Sequence, residues 1–158
     1  MLADPAATEA LGHAFARAII ALHPSQLCIY LEGELGAGKT TFTRAMLAGL
    51  GYQGRVPSPT YTLLEPYAVA GFQLLHADLY RLRDPAELEY LAIADLFGTD
   101  CLLLVEWPER GHGRLPAADL RLCFSIADTG RLVVFEAMTA AGASLLEQIS
   151  RSHGTQMA

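Results

Sequence analysis

The sequence predicts an α/β fold: one domain on a mixed, mostly parallel central sheet flanked by helices, with a β-hairpin toward the C-terminal end. Three observations carry this reading. Continuous apolar runs at residues 27–31 and 101–105 have the length and composition of strands buried on both faces. A glycine-rich stretch joins the first run directly to a helical pattern. Two β-prone runs, residues 120–126 and 132–138, flank Asp128-Thr129-Gly130, a turn signal for a hairpin. With 158 residues and 52% hydrophobic composition, the chain can bury one core but hardly two. A single domain over residues 1–158 is therefore expected, with its tail fraying after residue 150.

In chain order, Asp4 supplies a helix N-cap and Pro5 a first-turn residue, and Leu11, Phe15, Ala18, Ile19 and Leu22 recur at helical spacing. This helix ends near His23-Pro24. Residues 27–31 form the first strand, and residues 40–50 a helix stopped by Gly51. After a loop at 54–59, the run Thr60-Tyr61-Thr62-Leu63-Leu64 reads as a strand. It is expected to pair, across a turn at Ala70-Gly71, with residues 72–76. Asp84 and Glu87 are spaced as a capping box, which predicts one helix over 86–97, ended by Gly98. Residues 101–105 form a buried strand ended by Glu106-Trp107-Pro108, and a loop through Gly111 and Gly113 leads to the hairpin. A last helix is expected at 143–149.

Composition excludes several classes. No apolar run is long enough to cross a bilayer. The N-terminal segment carries Asp4 and Glu9 and no basic residue before Arg17, unlike a secretory signal, so a cytoplasmic location is expected. Cys28, Cys101 and Cys123 are far apart in apolar runs and read as buried reduced thiols rather than a metal site or disulfide framework. A formal charge of −6 argues against gripping nucleic acid unaided. Among the eleven basic residues one is lysine, Lys39.

That lysine lies in the sequence Gly33-Glu34-Leu35-Gly36-Ala37-Gly38-Lys39-Thr40, which satisfies the phosphate-loop pattern G-x4-G-K-[ST] between a strand and a helix. Average composition puts a chance match at roughly half a per cent for a chain of this length. Gly33, Gly36 and Gly38 let backbone amides turn inward around tetrahedral phosphates. The next helix presents its unpaired amides and positive dipole end. Lys39 places its charge beside the terminal phosphates, and Thr40 offers a hydroxyl to magnesium. The domain is thus predicted to be P-loop NTPase-like, with ATP and Mg²⁺ as its ligands.

Such chemistry needs a carboxylate at a strand end to hold the cation and support attack by water. Asp78 and Glu106 both end apolar runs. The Asn-Lys-x-Asp motif that reads guanine cannot exist here, because the single lysine is committed to the phosphate loop, so adenine, or weak base discrimination, is favoured. Trp107 either stacks on the base or packs in the core. His76, alone in an apolar run, reads as a core residue. Ser58 and Thr60 lie where a γ-phosphate-sensing switch would sit, although Pro57 and Pro59 stiffen its entry.

Four segments in this order resemble the bacterial TsaE ATPases of tRNA threonylcarbamoyladenosine synthesis: the phosphate loop through Thr41, Ser58-Pro59-Thr60-Tyr61-Thr62-Leu63, His76-Ala77-Asp78-Leu79-Tyr80-Arg81-Leu82, and Leu104-Val105-Glu106-Trp107-Pro108-Glu109. The resemblance spans residues 27–115. It implies an ATPase that joins the TsaD and TsaB proteins, with tRNA reached only through those partners. Hydrolysis would support repeated modification of adenosine 37 in tRNAs reading codons that begin with A. It also implies that Lys39 contacts phosphates, that Thr40 and Glu106 bind magnesium, and that Asp78 supports hydrolysis. Thr60, Tyr61 and Thr62 would form a switch, while Trp107, Glu109 and Arg131 lie near the nucleotide. Two alternatives stay open. One is a small-molecule kinase with Arg110 and Arg114 on a lid loop; the other is a nucleotide-gated binding module without essential hydrolysis.

Overall fold

A computed structural model describes residues 1–59 and 61–152. Six strands form one sheet in the order β2-β3-β4-β1-β5-β6. β1 (Gln26–Gly33) is central, between β4 (Cys101–Glu106) and β5 (Leu120–Ala127), and runs parallel to both. β3 (Phe72–Asp78) extends the parallel set beside β4. The edges are antiparallel: β2 (Leu64–Val69) pairs with β3, and β6 (Gly130–Ala137) pairs with β5. The mixed, mostly parallel sheet and its C-terminal hairpin are as expected. All six residues of β4 are buried, as its unbroken apolar run requires.

One face of the sheet packs under α1 (Pro5–Leu22), α2 (Lys39–Gly49) and α5 (Ala140–Ser152), around Phe15, Ile19, Phe42, Leu104 and Ile149. Phe15 meets Phe42 edge to face at 5.1 Å between ring centres. The other face carries a smaller core of Leu75, Leu79, Leu88, Ile93 and Leu103. Asp4 caps α1 by accepting a hydrogen bond from the Ala7 amide at 2.8 Å. Among the described residues, no helix is long and apolar enough to cross a membrane. Cys28, Cys101 and Cys123 are free thiols; the first two are buried and Cys123 is half-buried.

Three elements depart from expectation. The first hairpin strand is Leu64–Val69 and not 60–64. Residues 61–63 turn instead: Leu63 has φ 63° and its amide bonds the Pro59 carbonyl at 2.8 Å. Pro66 is tolerated because β2 is an edge strand. The helix expected over 86–97 is two pieces, α3 (Glu87–Leu91) and α4 (Ile93–Leu96), broken at Ala92 with φ 49°. Leu88 and Ile93 are both buried, and on one continuous helix a five-residue separation would set them about 140° apart. The break turns both inward. Half of the expected capping box forms, with the Asp84 amide donating to Glu87 Oε1 at 2.9 Å, but the Asp84 side chain accepts from the Ala86 amide at 2.9 Å and Ala86, not Asp84, is the N-cap of α3. Finally, α5 starts three residues earlier than expected and runs to Ser152.

Candidate functional site

The glycine-rich loop leaves the carboxyl end of β1 and enters α2, with Gly33, Gly36 and Gly38 at φ 129°, 78° and 108°. Gly33 admits no other residue: a Cβ there would lie 2.1 Å from the Phe124 carbonyl oxygen. Lys39, at 4% exposure, turns its ammonium back into the loop. Nζ donates to the carbonyls of Gly33 at 2.5 Å and Glu34 at 2.9 Å, and lies 4.3 Å from the centre of the Trp107 ring system. Burial pulls the Lys39 pKa below its usual value, and the charges of Glu106, Asp78 and Glu109 act in the opposite direction.

Strand alternation brings the carboxylates to this loop. His76 and Asp78 stand two apart on β3 and so share a face, and Asp78 is the register partner of Glu106 on β4. Thr40 Oγ1 donates to the Glu106 carboxylate, 3.2 Å from Oε1 and 3.1 Å from Oε2. His76 Nε2 meets Oε1 at 2.9 Å. Asp78 accepts from the Tyr80 amide at 3.0 Å and from the Ser58 hydroxyl at 3.2 Å. Burial pushes the Asp78 pKa above the ordinary carboxylate value, against the effect of those two donors. Lys39, Thr40, Ser58, Asp78, Glu106 and Trp107 line one cleft of about 370 Å³.

The remaining expected residues surround this cleft. Glu34, Leu35, Trp107 and Glu109 line an adjoining recess, so Trp107 forms the wall between two cavities. Arg131 reaches the outer side of the loop, where its guanidinium donates to the Gly36 carbonyl at 3.3 Å. It shares a third recess with Thr41 and Gly38. Ala37 is fully buried. Of the expected switch, Ser58 touches Asp78, whereas Tyr61 lies 83% exposed beneath the Arg81 guanidinium. Thr62 bonds Glu65 at 2.8 Å, away from the cleft. Thr60 lies outside the described residues. Arg110 stacks over Tyr80 and Trp107, but Arg114 is paired with Glu89, which leaves the supposed lid with one arginine at the cleft.

Sequence reasoning missed two contributors, Tyr80 and Thr8. Tyr80 packs on Trp107 at 5.0 Å between ring centres, and with Arg81 it lines the cleft. Tyr80 lies two residues after Asp78, a position that could have flagged it. Thr8 of α1 sits against Gly38. It belongs to another element, and no local pattern announces it.

The family model described as threonylcarbamoyl adenosine biosynthesis protein TsaE matches residues 2–133. The chain belongs to the TsaE family. The match takes in α1, both carboxylates and Arg131, well beyond the four segments that carried the resemblance. The Haemophilus influenzae tRNA threonylcarbamoyladenosine biosynthesis protein TsaE is 47% identical over 140 residues, covering 88% of this chain and 89% of that protein. The Bacillus subtilis TsaE is 38% identical over 122 residues, 77% of this chain and 76% of that one. The crystal structure of Bacillus subtilis YdiB superimposes with a TM-score of 0.77 at 30% identity, over 96% of this chain and 92% of that one. The architecture of that structure thus covers nearly all of the chain, and the family model most of it.

Proposed function

We propose that this chain is the ATP-binding and ATP-hydrolysing subunit that acts with TsaD and TsaB in threonylcarbamoylation of adenosine 37 in tRNAs reading codons that begin with A. The observation that carries it is the convergence, within one cleft, of the phosphate loop, Thr40, Asp78 and Glu106. Names borne by the relatives support the pathway; the partners come from the family resemblance. The formal charge of −6 suits a subunit whose tRNA is held by others.

A magnesium ion fits the residues present. Thr40 supplies a neutral oxygen beside the Glu106 carboxylate, an all-oxygen pair that suits a hard cation. Magnesium characteristically takes one or two protein ligands and fills its shell with phosphate oxygens and water. Thr40 and Glu106 would hold it, and when bound it would neutralise charge on the β and γ phosphates. The loop amides and the N-terminal end of α2 bind phosphate oxygens. Lys39 exchanges its two carbonyl partners for phosphate oxygens. Asp78 supports hydrolysis by accepting a hydrogen bond from water in the cleft. That water's oxygen bonds to the γ phosphorus as the bond to the ADP oxygen breaks and the water's surplus proton passes to solvent, which yields ADP, inorganic phosphate and a proton.

The test is nucleotide binding read by the fluorescence of Trp107, the one tryptophan in the chain, together with release of inorganic phosphate. Saturable binding that Lys39→Ala weakens, with phosphate release that Glu106→Gln suppresses, is expected. Transfer of phosphate to a metabolite, in stoichiometric amounts, would establish a kinase instead.

A further inference from the structure

We propose that His76 is a positioning residue of the site: it fixes the Glu106 carboxylate in the orientation that leaves Oε2 for the metal. This rests on the reading of Glu106 as a metal ligand given above. His76 is completely buried, and its Nε2 lies 2.9 Å from Glu106 Oε1. An ionised carboxylate only accepts hydrogen bonds, so Nε2 carries the proton and donates. The other ring nitrogen, Nδ1, is buried without a hydrogen-bond partner among the described residues, so the contact to Glu106 is the imidazole's single polar engagement there. A leucine of similar volume would fill this apolar setting without leaving an unsatisfied nitrogen. The polar ring is accounted for by what it does to Glu106.

The geometry shows how. Glu106 ends β4, and its side chain must choose among rotamers on a face shared with Thr40, Asp78 and His76. Thr40 bonds both carboxylate oxygens almost equally, at 3.2 and 3.1 Å, and does not distinguish them. His76 does: it engages Oε1 alone. Oε2 is left with the Thr40 hydroxyl as its one hydrogen-bond partner among the described residues, and that hydroxyl is itself the second proposed ligand. A buried imidazole that orients a ligating carboxylate in this way contributes to metal affinity rather than to nucleotide affinity, because among the described residues its hydrogen bond goes to Glu106 and not to the loop or Lys39.

Three measurements on the full chain decide this: Mg²⁺-free ADP binding by Trp107 fluorescence, Mn²⁺ binding to the ADP complex by electron paramagnetic resonance, and thermal unfolding. His76→Asn places an amide near the Nδ1 position, short of Glu106, while His76→Gln extends one to about the reach of Nε2. His76→Asn is expected to weaken Mn²⁺ binding about tenfold while metal-free ADP affinity stays within about twofold, and His76→Gln is expected to restore most of the loss. In a Glu106→Gln background, the His76 substitutions should cause no further loss of Mn²⁺. Unchanged Mn²⁺ affinity in His76→Asn would overturn the proposal, and so would equal losses in both His76 variants. If His76→Asn does not fold, His76→Gln decides alone, since weak Mn²⁺ binding by that folded variant refutes the positioning role. A wild-type chain whose Mn²⁺ binding is indifferent to Glu106→Gln would instead remove the underlying assignment of Glu106.

Discussion

Burial opposes the charge of both Lys39 and Asp78. Lys39 is nearly enclosed, with two loop carbonyls as partners that a phosphate can replace. Lys39→Ala is expected to lower the rate of ATP hydrolysis by about a hundredfold or more, the usual scale for a preorganised group facing transition-state charge; single-turnover phosphate release measures it. Burial raises the Asp78 pKa, so the folded protein keeps that proton to a higher pH than the unfolded chain does. The associated stability is complete below the unfolded value and is lost as pH rises through the folded one. Asp78→Asn should therefore raise the melting temperature at neutral pH, and the gain should shrink toward the ordinary carboxylate range, as melts between about pH 4 and pH 8 would record. The phosphate loop, Asp78 and Glu106 were legible in the sequence because each is a local pattern: a fixed spacing, or a carboxylate ending an apolar run. The bond from His76 to Glu106 and the approach of Thr8 to Gly38 were not, because they join residues on different elements.

At the scale of elements, α1 and α2 form a close pair that seats the phosphate loop. Gly12 of α1 approaches α2 so nearly that a Cβ would lie 2.6 Å from the Phe42 carbonyl oxygen, and a Cβ added at Gly49 of α2 would lie 2.6 Å from the Ala16 Cβ. Gly12→Ala should destabilise the protein by about 1–3 kcal/mol through overpacking, as denaturant unfolding would show. Because Thr8 lies one turn away against Gly38, the same substitution should also weaken nucleotide binding. Strands with continuous apolar runs and the capped start of α1 were readable directly. The first hairpin strand was misplaced because residues 60–64 have strand-forming types, yet Leu63 closes a turn and Pro66 is compatible with an edge. The Asp84–Glu87 pair marked the start of α3 to within a residue or two, but not the break at Ala92, which depends on the core that Leu88 and Ile93 must both reach.

Across the whole molecule, β1 lies between β4 and β5, and its phosphate loop opens beside Asp78 and Glu106 at the carboxyl ends of β3 and β4. Binding in the crevice at strand carboxyl ends is the general rule for open α/β sheets. Arg81 lines the cleft with Tyr61 beneath its guanidinium, and Arg110 stacks over Tyr80. The central claim is that hydrolysis at this cleft answers to partners. The measurement that tests it most directly is ATP hydrolysis by this protein alone and with TsaD and TsaB added, for wild type, Lys39→Ala and Glu106→Ala. The account predicts slow turnover alone and stimulation by the partner pair that both substitutions abolish. Equal rates with and without the partners, or stimulation that survives both substitutions, would contradict it.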